Sequence, residues 1–167
     1  MPTSRQIFMI IALICITALG SAAFLQLKMH MDPCPLCIIQ RYAFLALLMV
    51  SCAGIFTKGI VRTISHLICV GIAVLGMLAA QMHMDVLSRQ EVSCGQDVLE
   101  GPLNALWPAK ILPSFFRSLE FCDTPYPPIL GFNIPEWSFA VLTLVCLLAL
   151  AMREIRPGCA PTVNSLK

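Results

Sequence analysis

Four long apolar runs dominate the chain and leave few folds open to it. Residues 7–27 carry no charge, 37–56 carry only Arg41 near their start, and 64–82 hold only His66 near theirs. The fourth run, 137–152, is short, but Pro135 and Trp137 mark an interfacial start. A helix of about 20 apolar residues crosses a hydrocarbon core of about 30 Å and satisfies its backbone hydrogen bonds internally. Four such runs predict an all-α membrane protein, a four-transmembrane-helix bundle forming one domain over 1–167. The connections at 28–36 and 83–136 then lie on one side of the membrane. Composition agrees: 58% of residues are apolar and 12% charged, against about 25% charged in an ordinary soluble domain. That leaves too little polar surface for a water-soluble globule. A net charge of +2 gives a nucleic acid no electrostatic footprint.

Arg5, the apolar run after it and the small residues Gly20-Ser21-Ala22-Ala23 also resemble a cleavable signal peptide. The run continues through Phe24 and Leu25, beyond the usual core of about 7–15 residues, and is read as a span. Orientation follows from lysine and arginine. The amino terminus, the connection near 56–63 and the carboxyl tail carry Arg5, Lys58, Arg62, Arg153, Arg156 and Lys167. The long connection 83–136 carries seven acids and three bases. Both termini are therefore expected in the cytoplasm and the long loop outside.

The nine cysteines sort by depth. Cys15, Cys52, Cys69 and Cys146 fall within spans, where a thiol behaves as a small apolar side chain. Cys159 lies in the cytoplasmic tail. Cys34, Cys37, Cys94 and Cys122 all fall on the outer side, an even set in what would be an oxidising compartment. Cys34-Pro35-Leu36-Cys37 is a C-x-x-C where the chain re-enters the membrane. Strained small-ring disulfides are the labile, catalytic kind. Cys37 falls at the start of the second helix, where the dipole and free backbone N–H groups favour a thiolate.

Arg41 follows Cys37 by four residues and shares its helical face. A charge in a span is costly. The residue is either an arginine snorkelling to the interface or a cation beside the reactive thiolate, hydrogen-bonding a carbonyl oxygen of a bound electron acceptor; the second reading is preferred. Cys94 and Cys122, with 27 residues between them, form either a structural staple or a second redox pair passing electrons to Cys34 and Cys37. A four-cysteine zinc site is the third reading, and the wide second spacing disfavours it.

Segment 83–136 holds seven of the twelve prolines, so it is not one long helix. Leu103, Leu106, Trp107, Ile111, Leu112, Phe115 and Phe116 suggest a short interfacial helix lying on the outer leaflet, anchored by Trp107 and the two phenylalanines. Met-His-Met-Asp occurs at 29–32 and again at 82–85, each at the outer end of a span. Methionine and histidine suit soft copper, but two short matches in a methionine-rich chain also arise by coincidence. His83 alone is placed to face the same site as Arg41.

The constellation resembles the DsbB family of disulfide bond formation proteins. The matching features are Cys34-Pro35-Leu36-Cys37 followed by Arg41, the wide Cys94…Cys122 pair, four spans, and Ile134-Pro135-Glu136-Trp137 opening the last helix. The family often has an acid immediately before the arginine, where this chain has Gln40, and the segment around Cys122 is individual. The resemblance implies a protein-dithiol:quinone oxidoreductase of the bacterial inner membrane. A periplasmic thiol oxidase resembling DsbA would attack the loop disulfide, at Cys94, and Cys122 would then bond transiently with Cys34. Cys37 would donate to a quinone, ubiquinone or menaquinone, held near Arg41 and His83. No metal ligand is assigned. A vitamin K epoxide reductase-like enzyme is disfavoured, because that family carries its C-x-x-C in the last span and here that span has only Cys146. A metal-binding membrane module using the four outer cysteines, and a structural protein with two staples, are the readings from other classes.

Overall fold

The computed structural model describes residues 3–89, 96–118 and 127–151. Cys94, Cys122 and Cys159 lie outside the described residues. Within them the chain is helical, and four helices are long and apolar enough to cross a membrane.

Helix α1 spans Ser4–Met29. Thr3 caps it: its hydroxyl accepts from the Gln6 N–H, and the Gln6 side chain accepts from the Thr3 N–H at 2.7 Å, which satisfies donors the helix leaves open. His30 ends it in the left-handed region at φ 51°. At 1.5 Å per residue its 26 residues extend about 39 Å, more than the hydrocarbon core requires. Helix α2 spans Pro35–Phe56 with proline in its first turn, where the missing N–H costs nothing. Helix α3 covers Gly59–Arg89, well beyond the apolar run at 64–82 in both directions. The last spanning helix, Ile134–Ala151, is α7.

Between α3 and α7 the proline-rich segment forms α4 (Gln96–Ala105), α5 (Trp107–Ile111) and α6 (Pro113–Phe116). Pro108 and Pro113 fall in the first turns of α5 and α6, which is why this stretch is several short pieces. The expected anchoring holds only in part. Trp107 is exposed, but Phe116 is buried and its ring stacks on Tyr42 of α2 at 5.1 Å between centroids. Phe115 meets Phe116 edge-on. The two phenylalanines therefore attach the segment to the bundle instead of to the leaflet, because α2 offers an aromatic surface there.

Helix α2 packs between α1 and α3, α3 packs on α7, and α1 and α7 meet less closely. The main core includes Phe8, Ile11, Phe44, Leu47, Leu142 and Val145, with Cys15, Cys69 and Cys146 filling small gaps. Leu13, Leu67, Leu75 and Leu147 point outward and are exposed. An apolar outer face on a helix bundle is what a lipid solvent requires.

Candidate functional site

The site forms where α1 hands over to α2. The left-handed turn at His30 reverses the chain, and Met31, Pro33 and Pro35 are buried behind it. This seats Cys34 as the N-cap of α2, its sulfur accepting the Cys37 N–H at 3.4 Å. A cysteine thus occupies the position where a helix offers free N–H groups and the positive end of its dipole. No disulfide joins Cys34 and Cys37; Cys34 Sγ donates to Cys37 Sγ at 3.3 Å. Cys34 is buried and Cys37 partly accessible.

His83 arrives from α3, buried, and presents one ring nitrogen to each sulfur: Nε2 lies 3.7 Å from Cys34 Sγ and Nδ1 3.8 Å from Cys37 Sγ. A dithiol beside an imidazole has a proton acceptor and, once that ring is protonated, a cation for a thiolate. Among the described residues, Cys34, Cys37 and His83 are also the group whose donor atoms, within 4.8 Å of one another, could hold a metal ion. The two Met-His-Met-Asp copies differ: His30 is exposed at the end of α1, whereas His83 is buried at the dithiol.

Arg41 sits one helical turn beyond Cys37 and is 8% exposed. It does not snorkel. Its Nη1 donates to Gln26 Oε1 at 2.9 Å and to the Phe115 carbonyl, and its guanidinium lies 4.3 Å from the Phe115 ring centroid. Gln26 in turn donates to the Ser114 carbonyl. These acceptors are neutral; by charge the guanidinium interacts with Cys37, Cys34 and Asp32, which places it to steady a thiolate or an acceptor gaining electrons. Of the sequence candidates, the structure brings Cys34, Cys37, Arg41 and His83 together. Gln26 was missed, its available signal being a carboxamide near the end of an otherwise apolar span, and Phe115, expected as a leaflet anchor, instead meets Arg41.

A cavity of about 850 Å³ opens between α1 and α7, where those helices meet least closely. Cys34, Cys37, Gln40, Arg41 and His83 line it, and Leu19, Leu25, Ile134 and Val141 belong to its apolar walls. That volume falls in the range of small-molecule sites, about 300–1,000 Å³. A thiol pair, a histidine and a guanidinium lining a mostly apolar cavity, in a bundle of membrane-spanning helices, define an integral membrane thiol–disulfide oxidoreductase.

Comparison with known proteins narrows the class. The family model for "Disulfide bond formation protein DsbB" matches residues 4–152. Disulfide bond formation protein B of Cupriavidus pinatubonensis is 38% identical over 157 residues, covering 90% of this chain and 95% of the relative. That of Ralstonia nicotianae is 36% identical, covering 92% and 98%. Disulfide bond formation protein B 1 of Pseudomonas savastanoi pv. phaseolicola is 34% identical, covering 91% and 92%. The chain belongs to the DsbB family of membrane disulfide bond formation proteins.

Proposed function

We propose that the protein reoxidises a periplasmic DsbA-like thiol oxidase and delivers the electrons to a membrane quinone. The observation that carries this reading is the Cys34–Cys37 pair lining a mostly apolar cavity together with a guanidinium. In this reading both termini are cytoplasmic, the membrane is the bacterial inner membrane, and the four redox cysteines are periplasmic.

The exchange steps balance in sulfur and electrons. A thiolate of the reduced donor attacks the Cys94–Cys122 disulfide at Cys94, and the donor's second thiol releases Cys94, leaving the donor oxidised and the loop pair reduced. Cys122 attacks Cys34 of the Cys34–Cys37 disulfide, which breaks that bond and leaves Cys37 as a thiolate. Cys94 then attacks Cys122, restoring the loop disulfide and freeing Cys34. Each hop is a thiolate attack in line with two sulfurs. Within the site His83 takes and returns the thiol proton, and Arg41 holds negative charge next to Cys37.

The cavity fits a quinone. Its lining is mostly apolar, its volume is sufficient, and Cys34, Cys37, Arg41 and His83 are among the residues that line it. When bound, a quinone supplies a sink for two electrons and two protons. Arg41 and His83 would hold its head, with the apolar walls taking the rest.

Purified protein, reduced DsbA-like donor and a soluble quinone test the proposal by loss of quinone absorbance. Wild type is expected to consume quinone, Cys37→Ala to consume none, and Cys94→Ala to fail with the protein donor while accepting electrons from a small dithiol. Full activity in Cys94→Ala with the protein donor removes the loop pair from the path. The three clustered donors Cys34, Cys37 and His83 favour a metal-binding reading. That reading takes over if wild type consumes no quinone and the preparation carries stoichiometric zinc or copper.

A further inference from the structure

Gln40 is buried to 3% exposure, lines the cavity, and its Nε2 has no hydrogen-bond partner among the described residues. It follows Cys37 by three residues, so both belong to the face of α2 that closes the cavity. A buried amide without a partner is costly. Several other polar groups lining the cavity are already engaged. The Thr17 and Ser21 hydroxyls donate to carbonyls of α1, and Arg41 Nη1 is shared between Gln26 and Phe115. Gln40 therefore offers the cavity a neutral N–H donor beside the charged guanidinium of Arg41.

A carboxamide offers a donor and an acceptor on one planar group, whereas a carboxylate only accepts. Its terminal torsion is broad and soft, so a half-turn exchanges the two. We propose that Gln40 reads the oxygen of the electron acceptor in both oxidation states: Nε2 donates to the carbonyl oxygen of the oxidised ring, and Oε1 accepts from the hydroxyl of the reduced ring. The inference rests on the quinone reading above and adds to it a specificity-determining residue. An acid at this position serves the hydroxyl form alone, so Gln40 lets the site hold the oxidised acceptor without a proton having to be supplied to the side chain.

Binding tests this without turnover. Trp137 lines the same cavity, and a quinone ring quenches indole fluorescence. In a Trp107→Phe, Cys37→Ser background, a short-chain ubiquinone analogue and its hydroquinone are titrated against Trp137 emission. Gln40→Leu is expected to weaken both by about tenfold, and Gln40→Glu to weaken the quinone by about tenfold with the hydroquinone within about twofold. Because Gln40 Nε2 has no partner among the described residues, Gln40→Leu should melt at or above the parent temperature. Parent-like affinity for the quinone in Gln40→Leu overturns the inference. If Gln40→Leu does not fold, equal weakening of both forms, or of neither, in the isosteric Gln40→Glu does the same. No quenching in the parent itself overturns the quinone reading, and with it the role of Gln40.

Discussion

Arg41 Nη1 donates to Gln26 Oε1 at 2.9 Å, and the other end of the same carboxamide donates to the Ser114 carbonyl. One side chain from α1 thus joins the cation on α2 to the segment after α5. The Phe115 carbonyl and ring hold Arg41 from the same segment. The guanidinium is fixed by α1 and by the segment leading towards Cys122, so its position depends on how that segment sits.

Gln26→Leu removes the acceptor and the tie together while keeping the apolar volume. A hydrogen bond to a charged group contributes about 1.5–3 kcal/mol, and a misplaced guanidinium should raise the KM for quinone by roughly tenfold. Steady-state kinetics with a small dithiol donor check it, and Gln26→Glu should restore the contact to Arg41. An unchanged KM in Gln26→Leu means that the Phe115 contacts hold Arg41 alone.

Arg41→Lys separates charge from geometry. An ammonium is a compact point charge and does not reproduce the planar fork or the flat contact with Phe115. The lysine variant should use quinone with a KM raised roughly tenfold, and Arg41→Ala should lose roughly a hundredfold in kcat/KM. Equal losses in the two variants would show that positive charge contributes nothing beyond shape.

His83 touches both sulfurs, so its removal should slow every step in which a thiol at this pair gains or loses a proton. His83→Ala is expected to slow exchange at the Cys34–Cys37 pair by roughly tenfold to a hundredfold. Stopped-flow oxidation of a small dithiol follows this step apart from quinone binding. Trp137 quenching by quinone reports the other role, and wild-type exchange with weakened quenching would place His83 with the acceptor instead of the thiols.

Hydropathy made the four spans legible, because lipid demands that each crossing segment be apolar along its length. It did not show that α3 continues to Arg89, since polar residues such as His83 and Asp85 extend a helix past the apolar core without any apolar signal. Pro108 and Pro113 announced the breaks in the segment before α7. A four-residue helix such as α6 has no periodicity from which to read that Phe116 turns inward. Cys34, Cys37 and Arg41 were readable because they lie within two helical turns of one another. Gln26 was not, since its partner Ser114 is 88 residues away in sequence. His83 was readable only as a polar residue at the end of a span, and its contact with both sulfurs depends on how α3 is rotated against α2.

The end of the bundle opposite Cys34 sets stability through a close approach. A Cβ added to Gly54 of α2 would lie 2.8 Å from the ring of Phe8, a fully buried residue of α1. Atoms do not remain that close, so either the ring leaves its position or the helices separate. Overpacking of this kind costs about 1–3 kcal/mol. Gly54→Ala should therefore lower the melting temperature in detergent, followed by circular dichroism. Gly20 lies on α1 with nothing within 4 Å of an added Cβ. Gly20→Ala should be neutral or stabilising by up to about 1 kcal/mol, since alanine is the better helix former. At a temperature where Gly54→Ala is folded its quinone kinetics should match wild type, because Gly54 lies away from the cavity lining, to which Gly20 belongs. Equal melting temperatures for the two variants would mean that α1 and α2 are not held in contact at Phe8.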